Sequence, residues 1–206
     1  MSDLAGLLRG ATEPAAFARS YLAYVGELLG RLDAAAVGAF IEEVEAARAG
    51  DHTVFIAGNG GSAATASHMA ADFGFGTRCG AGAPFRAHAL TDNVALLTAI
   101  GNDEGYEHVF VHQLRIHYRS GDSLVCISAS GNSPNVLAAA AWVRARGGRV
   151  ISLVGFDGGA LKGMSDVVIH VATARGEYGP VEDAHLVVNH LVTAWLMHRA
   201  RGGAQA

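Results

Sequence analysis

Five short apolar runs, HTVFIAG, RAHALTD, DSLVCIS, GRVISLVG and SDVVIHV, are each followed by glycine or a small polar residue and then by a helical pattern. Runs apolar on both faces suit strands buried between helices, because a strand with one wet face would alternate. Strand and helix alternating at this spacing predict an open α/β sheet. The first fifty residues read instead as two helices. Pro14 opens PAAFARSYLAYVGELLGRL, whose apolar residues recur at three- and four-residue intervals, and Asp33 can cap AAAVGAFIEEVEAARAG, which ends at Gly50. A last helix is predicted from about residues 179–182 to about Arg199.

At 206 residues the chain is expected to form one domain, with N-terminal helices over about 1–50 and an α/β core over 51–201. Half the residues are hydrophobic and 17% charged, which argues against disorder. A formal net charge of -4 supplies no basic field for nucleic acid. Lys162 is the only lysine, so a Schiff-base mechanism would have to use it. Cys79 and Cys126 make neither a disulfide framework nor a metal knuckle, and Cys126, inside SLVCIS, reads as a buried structural thiol. No secretion signal is visible in MSDLAGLLRG, and LAAAAWV and HLVVNHLVTAWLMH are too short or too polar to span a bilayer. A cytoplasmic, soluble protein without a membrane partner is the expectation. GAGAP, residues 80–84, is the one loop-like stretch inside the core and a candidate mobile loop.

Ligands of open α/β sheets bind at the carboxyl ends of the strands. Two such ends carry related chemistry: Gly58-Asn59-Gly60-Gly61-Ser62 after the first strand, and Ser128-Ala129-Ser130-Gly131-Asn132-Ser133 after the third. Glycines admit an anion close to the backbone, the following helix offers unpaired N–H groups, and serine hydroxyls can turn toward phosphate oxygens. Neither turn is a GxxxxGK[ST] loop or a GxGxxG helix opening, so no nucleotide cofactor is expected. A single turn of this kind could equally be an ordinary helix start. Two together read as a cradle for a phosphate monoester.

His68 and Asp72 follow Ser62 on one helix, and four-residue spacing puts them on one face. Near the other end, VEDAHLVVNHL carries Glu182, His185 and His190 on another helix, with Glu182 and His190 roughly on one side. Two histidines and two carboxylates could hold a divalent metal or form an acid/base set. Ten histidines are scattered through the chain, and His52, His108, His112, His117, His170 and His198 read as surface or edge positions. Spacing alone leaves both alternatives standing.

GNGGSAATASHMAADF, SASGNSPNVLAAA and the late VEDAHLVVNHL together resemble the sugar isomerase (SIS) domain family, and within it the phosphoheptose isomerases. The similarity runs from about residue 20 to 198 and includes ALTDNVALLTAIGNDEGY. That resemblance implies a three-layer αβα sandwich with a five-stranded parallel sheet in flavodoxin-like order, preceded by N-terminal helices that pack into a homotetramer. It implies interconversion of sedoheptulose 7-phosphate and D-glycero-D-manno-heptose 7-phosphate through a cis-enediol. Ser62, Ser128, Ser130 and Ser133 would bind the phosphate, with Asn59, Gly60 and Asp92 completing the substrate site. Asp72 and His190 match the family's proton-exchanging pair, and His68, Asp72, Glu182 and His190 match the zinc ligands of some members.

The chain departs from the family at Asp72, usually glutamate, at Glu182, usually glutamine, and at Ala129, usually threonine. A basic residue usual after the first helix is missing at Phe75-Gly76, with Arg78 close by. These changes leave Asp72 or Glu182 as the base, and keep two other readings open. One is isomerisation of a different phosphosugar. The other is a non-catalytic module that binds a phosphosugar or a replication initiator.

Overall fold

Alternation along the strands divides the core in two. The computed structural model of the protein describes residues 3–78 and 83–202. Cys79 and residues 80–82 of the predicted loop lie outside them. Strands β1 (Thr53–Gly58), β2 (Arg86–Ala89), β3 (Ser123–Ser128), β4 (Arg149–Phe156) and β5 (Val167–Ala172) pair in the order β2-β1-β3-β4-β5, every pair parallel. This is the predicted flavodoxin-like order.

Val54 and Ile56 of β1, Val125 and Ile127 of β3, and Ile151 and Leu153 of β4 point to one face. There they meet helices α3 (Ala34–Ala49), α4 (Gly61–Ala71) and α9 (Tyr178–Ala200) through Phe40, Met69, Val188 and Val192. The alternate residues Phe55, Leu124, Cys126, Val150 and Val154 point to the other face. They meet α5 (Val94–Asp103), α6 (Val109–His117), α7 (Pro134–Arg144) and the short α8 (Gly159–Gly163). Cys126 is fully buried, and burial pushes its thiol well above the usual range, as a structural thiol requires.

Before the sheet the chain forms α1 (Leu4–Arg9) and α2 (Pro14–Leu29) as well as α3, one helix more than the sequence pattern predicts. Six residues are too few to register a helical period, and Asp3 closes this short helix by accepting from the Gly6 amide. Its start is tied to the far end of the chain: the Leu4 amide donates to buried Glu177, which also accepts from the Tyr24 hydroxyl at 2.6 Å. Tyr21 likewise donates to Asp183, so α1 and α2 are docked on the start of α9. That docking fixes where α9 enters the site.

Candidate active site

Ser62 is the second residue of α4 and is 4% exposed, so its hydroxyl faces inward at the helix start. Gly60 before it has φ +54°, a left-handed turn conformation that favours glycine, and no side chain caps the helix. The first amides of α4 are therefore available to an anion. Opposite, Ser128 ends β3 and Ser133 precedes α7 without donating or accepting a capping bond. Ser128 Oγ lies 3.4 Å from Ser133 Oγ and accepts from the Gly131 amide, while Ser130 Oγ accepts from the Asn132 amide. Gly131, at φ +61°, lies so close to the loop after β4 that a Cβ would stand 2.0 Å from the Gly158 carbonyl oxygen. These contacts hold the second turn rigid.

Between the two turns lies a cavity of about 130 Å³, lined by Asn59, Ser62, Ser128, Ser130, Ser133 and Glu182 among others. Neither lysine nor arginine is among the lining residues, so an anion there is met by hydroxyls and amides. Asn59 is held from two sides. Its amide exchanges two hydrogen bonds of 2.9 Å with Asn135, and its Oδ1 also accepts from the Tyr106 hydroxyl. Arg78, the nearest basic residue to the gap at Phe75-Gly76, stacks on the Phe75 ring at 3.5 Å and donates to the Phe75 carbonyl.

Farther along the same two helices, His68, Asp72 and His190 bring one ligand atom each to within 4.8 Å of one another. His68 Nε2 is 3.4 Å from Asp72 Oδ2, and the His68 and His190 rings meet edge to face with centroids 5.0 Å apart. Asp72 stands at the residue where α4 widens into a single π-helical turn, Asp72–Gly76, an irregularity common at functional sites. Two imidazoles and a carboxylate form the nitrogen–oxygen donor set that suits a divalent ion such as zinc.

Glu182 is not in that group. The same side of a helix is not the same place: eight residues separate it from His190, about 12 Å along the axis. Its carboxylate instead lies over the cavity between the serine turns, against Gly61, where burial, with a smaller push from Asp183, raises its pKa. The four-ligand set is thus divided, three residues at one end and Glu182 at the other. Asp92, past β2, accepts from Ser67 of α4 and from its neighbour Thr91, and does not line the cavity. His185 turns fully into the core. Burial brings its pKa down to about 4, partly offset by the Val154 backbone, although neither ring nitrogen makes a well-formed hydrogen bond.

Three participants have no signal in the sequence reading. Asn189, wholly buried on α9, donates its amide to Asp72 Oδ2 at 2.8 Å. Asn135 locks Asn59, and Tyr178 closes the cavity from the start of α9. A lone amide inside the apolar run LVVNHLV is the one hint that could have drawn attention to Asn189.

The SIS domain family matches residues 20–155. A phosphoheptose isomerase of Rhodospirillum rubrum is 43% identical over 145 residues, covering 70% of this chain and 75% of the relative. One from a Geobacter species is 35% identical over 178 residues, covering 84% and 88%. The solved structure of the phosphoheptose isomerase of Neisseria gonorrhoeae superposes with a TM-score of 0.78 at 32% identity, covering 88% of this chain and 95% of that one. With its sheet order, its two serine turns and these relatives, the chain belongs to the SIS domain family, in its phosphoheptose isomerase branch.

Proposed function

We propose that this protein is an aldose–ketose isomerase that interconverts sedoheptulose 7-phosphate and D-glycero-D-manno-heptose 7-phosphate. The observation that carries the reading is the distance between the two halves of the site. Helices α4 and α9 run side by side in the same direction: Gly61 meets Glu182 at one end, and His68 meets His190 farther on. Six residues separate Ser62 from His68, about 9 Å along the helix axis. A seven-carbon chain of ~1.5 Å bonds spans a comparable length, so a 7-phosphate in the serine cradle brings C1 and C2 to the histidines and Asp72.

In this reading the cradle anchors the phosphate, and that remote binding energy holds C1 and C2 in place. Asp72 takes the proton from C1 of the ketose, the C–H electron pair forms the C1–C2 double bond of a cis-enediol, and His190 gives a proton to O2 as the carbonyl pair becomes the new O–H bond. The same carboxyl returns the proton to C2 through the double-bond pair, while His190 takes the O1 proton in place of the one it gave to O2 and the O1–H pair closes the C1 aldehyde. No electron enters or leaves. Acid/base catalysis of this kind contributes about 10²–10⁴-fold. Glu182 lies over the phosphate end of the site, where burial raises its pKa, rather than beside the reacting carbons. His68, Asp72 and His190 would hold a divalent ion such as zinc, which supplies Lewis-acid polarisation of the sugar oxygens.

The 206 residues form a single domain in this reading, and the protein is a cytoplasmic homotetramer. Among the described residues no helix is long and apolar enough to cross a membrane. Leu29, Leu32, Val37 and Ile41 line an apolar groove with Leu191 and Trp195 of α9, and Leu22 on α2 is 71% exposed. Copies of the chain covering this surface would remove it from water. The test of function is a panel of phosphosugars: conversion of sedoheptulose 7-phosphate in preference to five- and six-carbon phosphates supports it. Turnover of a shorter ketose alone would reassign the substrate, and binding without turnover would make the protein a phosphosugar-binding module.

A further inference from the structure

Asn189 presents a physical puzzle that the proposed chemistry does not require. It is 0% exposed, flanked on α9 by the core residues Val188 and Val192, and its Oδ1 has no hydrogen-bond partner among the described residues. A buried amide with its oxygen unpaired is a poor choice for stability, since an aliphatic side chain of the same shape would leave no orphaned acceptor. Its one contact is directed. The Nδ2 group donates to Asp72 Oδ2 at 2.8 Å.

His68 Nε2 approaches the same Oδ2 at 3.4 Å. Both neighbours therefore hold one oxygen, and Oδ1 receives no protein donor among the described residues. The Asp72 side chain is short and stands where α4 opens into the π turn, so within its own helix only the 3.4 Å approach of His68 bears on its rotation, and the shorter bond comes from α9. We propose that Asn189 is a positioning residue for Asp72: its amide pins Oδ2 and leaves Oδ1 as the oxygen that meets the substrate. This rests on the reading of Asp72 as the group that exchanges the proton.

The test is a double-mutant cycle of Asn189→Leu, which keeps shape and removes the donor, with Asp72→Asn. In Asn189→Leu the kcat for sedoheptulose 7-phosphate falls on the order of 10²-fold, as expected for a misaimed catalytic group, while KM stays within about twofold. In the Asp72→Asn background the same change costs no further activity, because the amide acts only through Asp72. Thermal unfolding and circular dichroism check that the variant folds. If Asn189→Leu does not fold, Asn189→Ser, too short to span the gap, serves in its place with the same expected result.

An unchanged kcat, or an equal loss in both backgrounds, overturns the proposal. If the wild-type protein does not turn over sedoheptulose 7-phosphate, the functional reading has failed instead, and zinc titration of metal-free protein decides. A tenfold or greater loss of zinc affinity in Asn189→Leu supports the positioning role, because partners of a ligand typically carry ~10–100-fold in affinity. Equal affinity overturns it.

Discussion

Gly61 and Glu182 are packed so closely that a methyl group built on the glycine would stand 2.2 Å from Glu182 Oε2. The obstacle is the far end of a flexible side chain, so the carboxylate would swing away rather than the helix move. Gly61 is the first residue of α4, where alanine is the better helix former. Gly61→Ala should therefore leave the thermal midpoint unchanged or slightly raised while KM for the phosphosugar rises about tenfold, ~1.4 kcal/mol of lost binding. Steady-state kinetics beside a melting curve separates the two effects.

The metal half of the site has its own test. Metal-free protein titrated with zinc by calorimetry should bind one ion per chain at His68, Asp72 and His190. His68→Ala should weaken that binding by at least tenfold, and Glu182→Gln should leave it within about twofold, since Glu182 lies outside the cluster. A large loss in Glu182→Gln would mean that the four residues act as one set after all.

Buried His185 makes stability depend on pH. Its folded pKa of about 4 lies below the 6.5 of an ordinary histidine, so the unfolded chain takes up the proton first. The neutral ring's contribution is complete above pH 6.5 and is lost as pH falls toward 4, by roughly 3 kcal/mol in all. Urea unfolding at pH 7.5 and pH 5 should show this loss in the wild type and a shallower one in His185→Leu.

Assembly is tested at the apolar surface shared by α3 and α9. Trp195 is 47% exposed and lines the groove with Leu191. If the proposed tetramer forms through this groove, Trp195→Glu should shift the species seen by light scattering from tetramer to smaller forms, since a charge desolvated between apolar faces is costly. A tetramer of unchanged mass would remove this groove from the interface.

What the sequence made legible follows from periodicity and punctuation. The five doubly apolar runs define the parallel sheet, and glycine and serine after β1 and β3 mark the strand ends that border the candidate cavity. His68 and Asp72 meet because four-residue spacing in a helix guarantees it. Helical spacing says which side a residue takes but not how far along the axis its neighbours lie. Glu182 and His190 share a side of α9 and still serve opposite ends of the site. Asn189 was invisible for the complementary reason: a buried polar residue declares its role only through a partner, and Asp72 lies 117 positions away in the chain. The short α1 escaped because it is held by Glu177 rather than by its own pattern.

The central claim is that a seven-carbon phosphosugar, anchored in the serine turns, exchanges a proton at C1 and C2 with Asp72. Proton magnetic resonance of sedoheptulose 7-phosphate incubated with the protein in heavy water reads that exchange directly. The wild type should replace a C1 proton with deuterium as the aldose signal grows, and Asp72→Asn should slow both by at least ~10²-fold. Absence of exchange and of aldose in the wild type, or exchange at an undiminished rate in Asp72→Asn, would contradict the account.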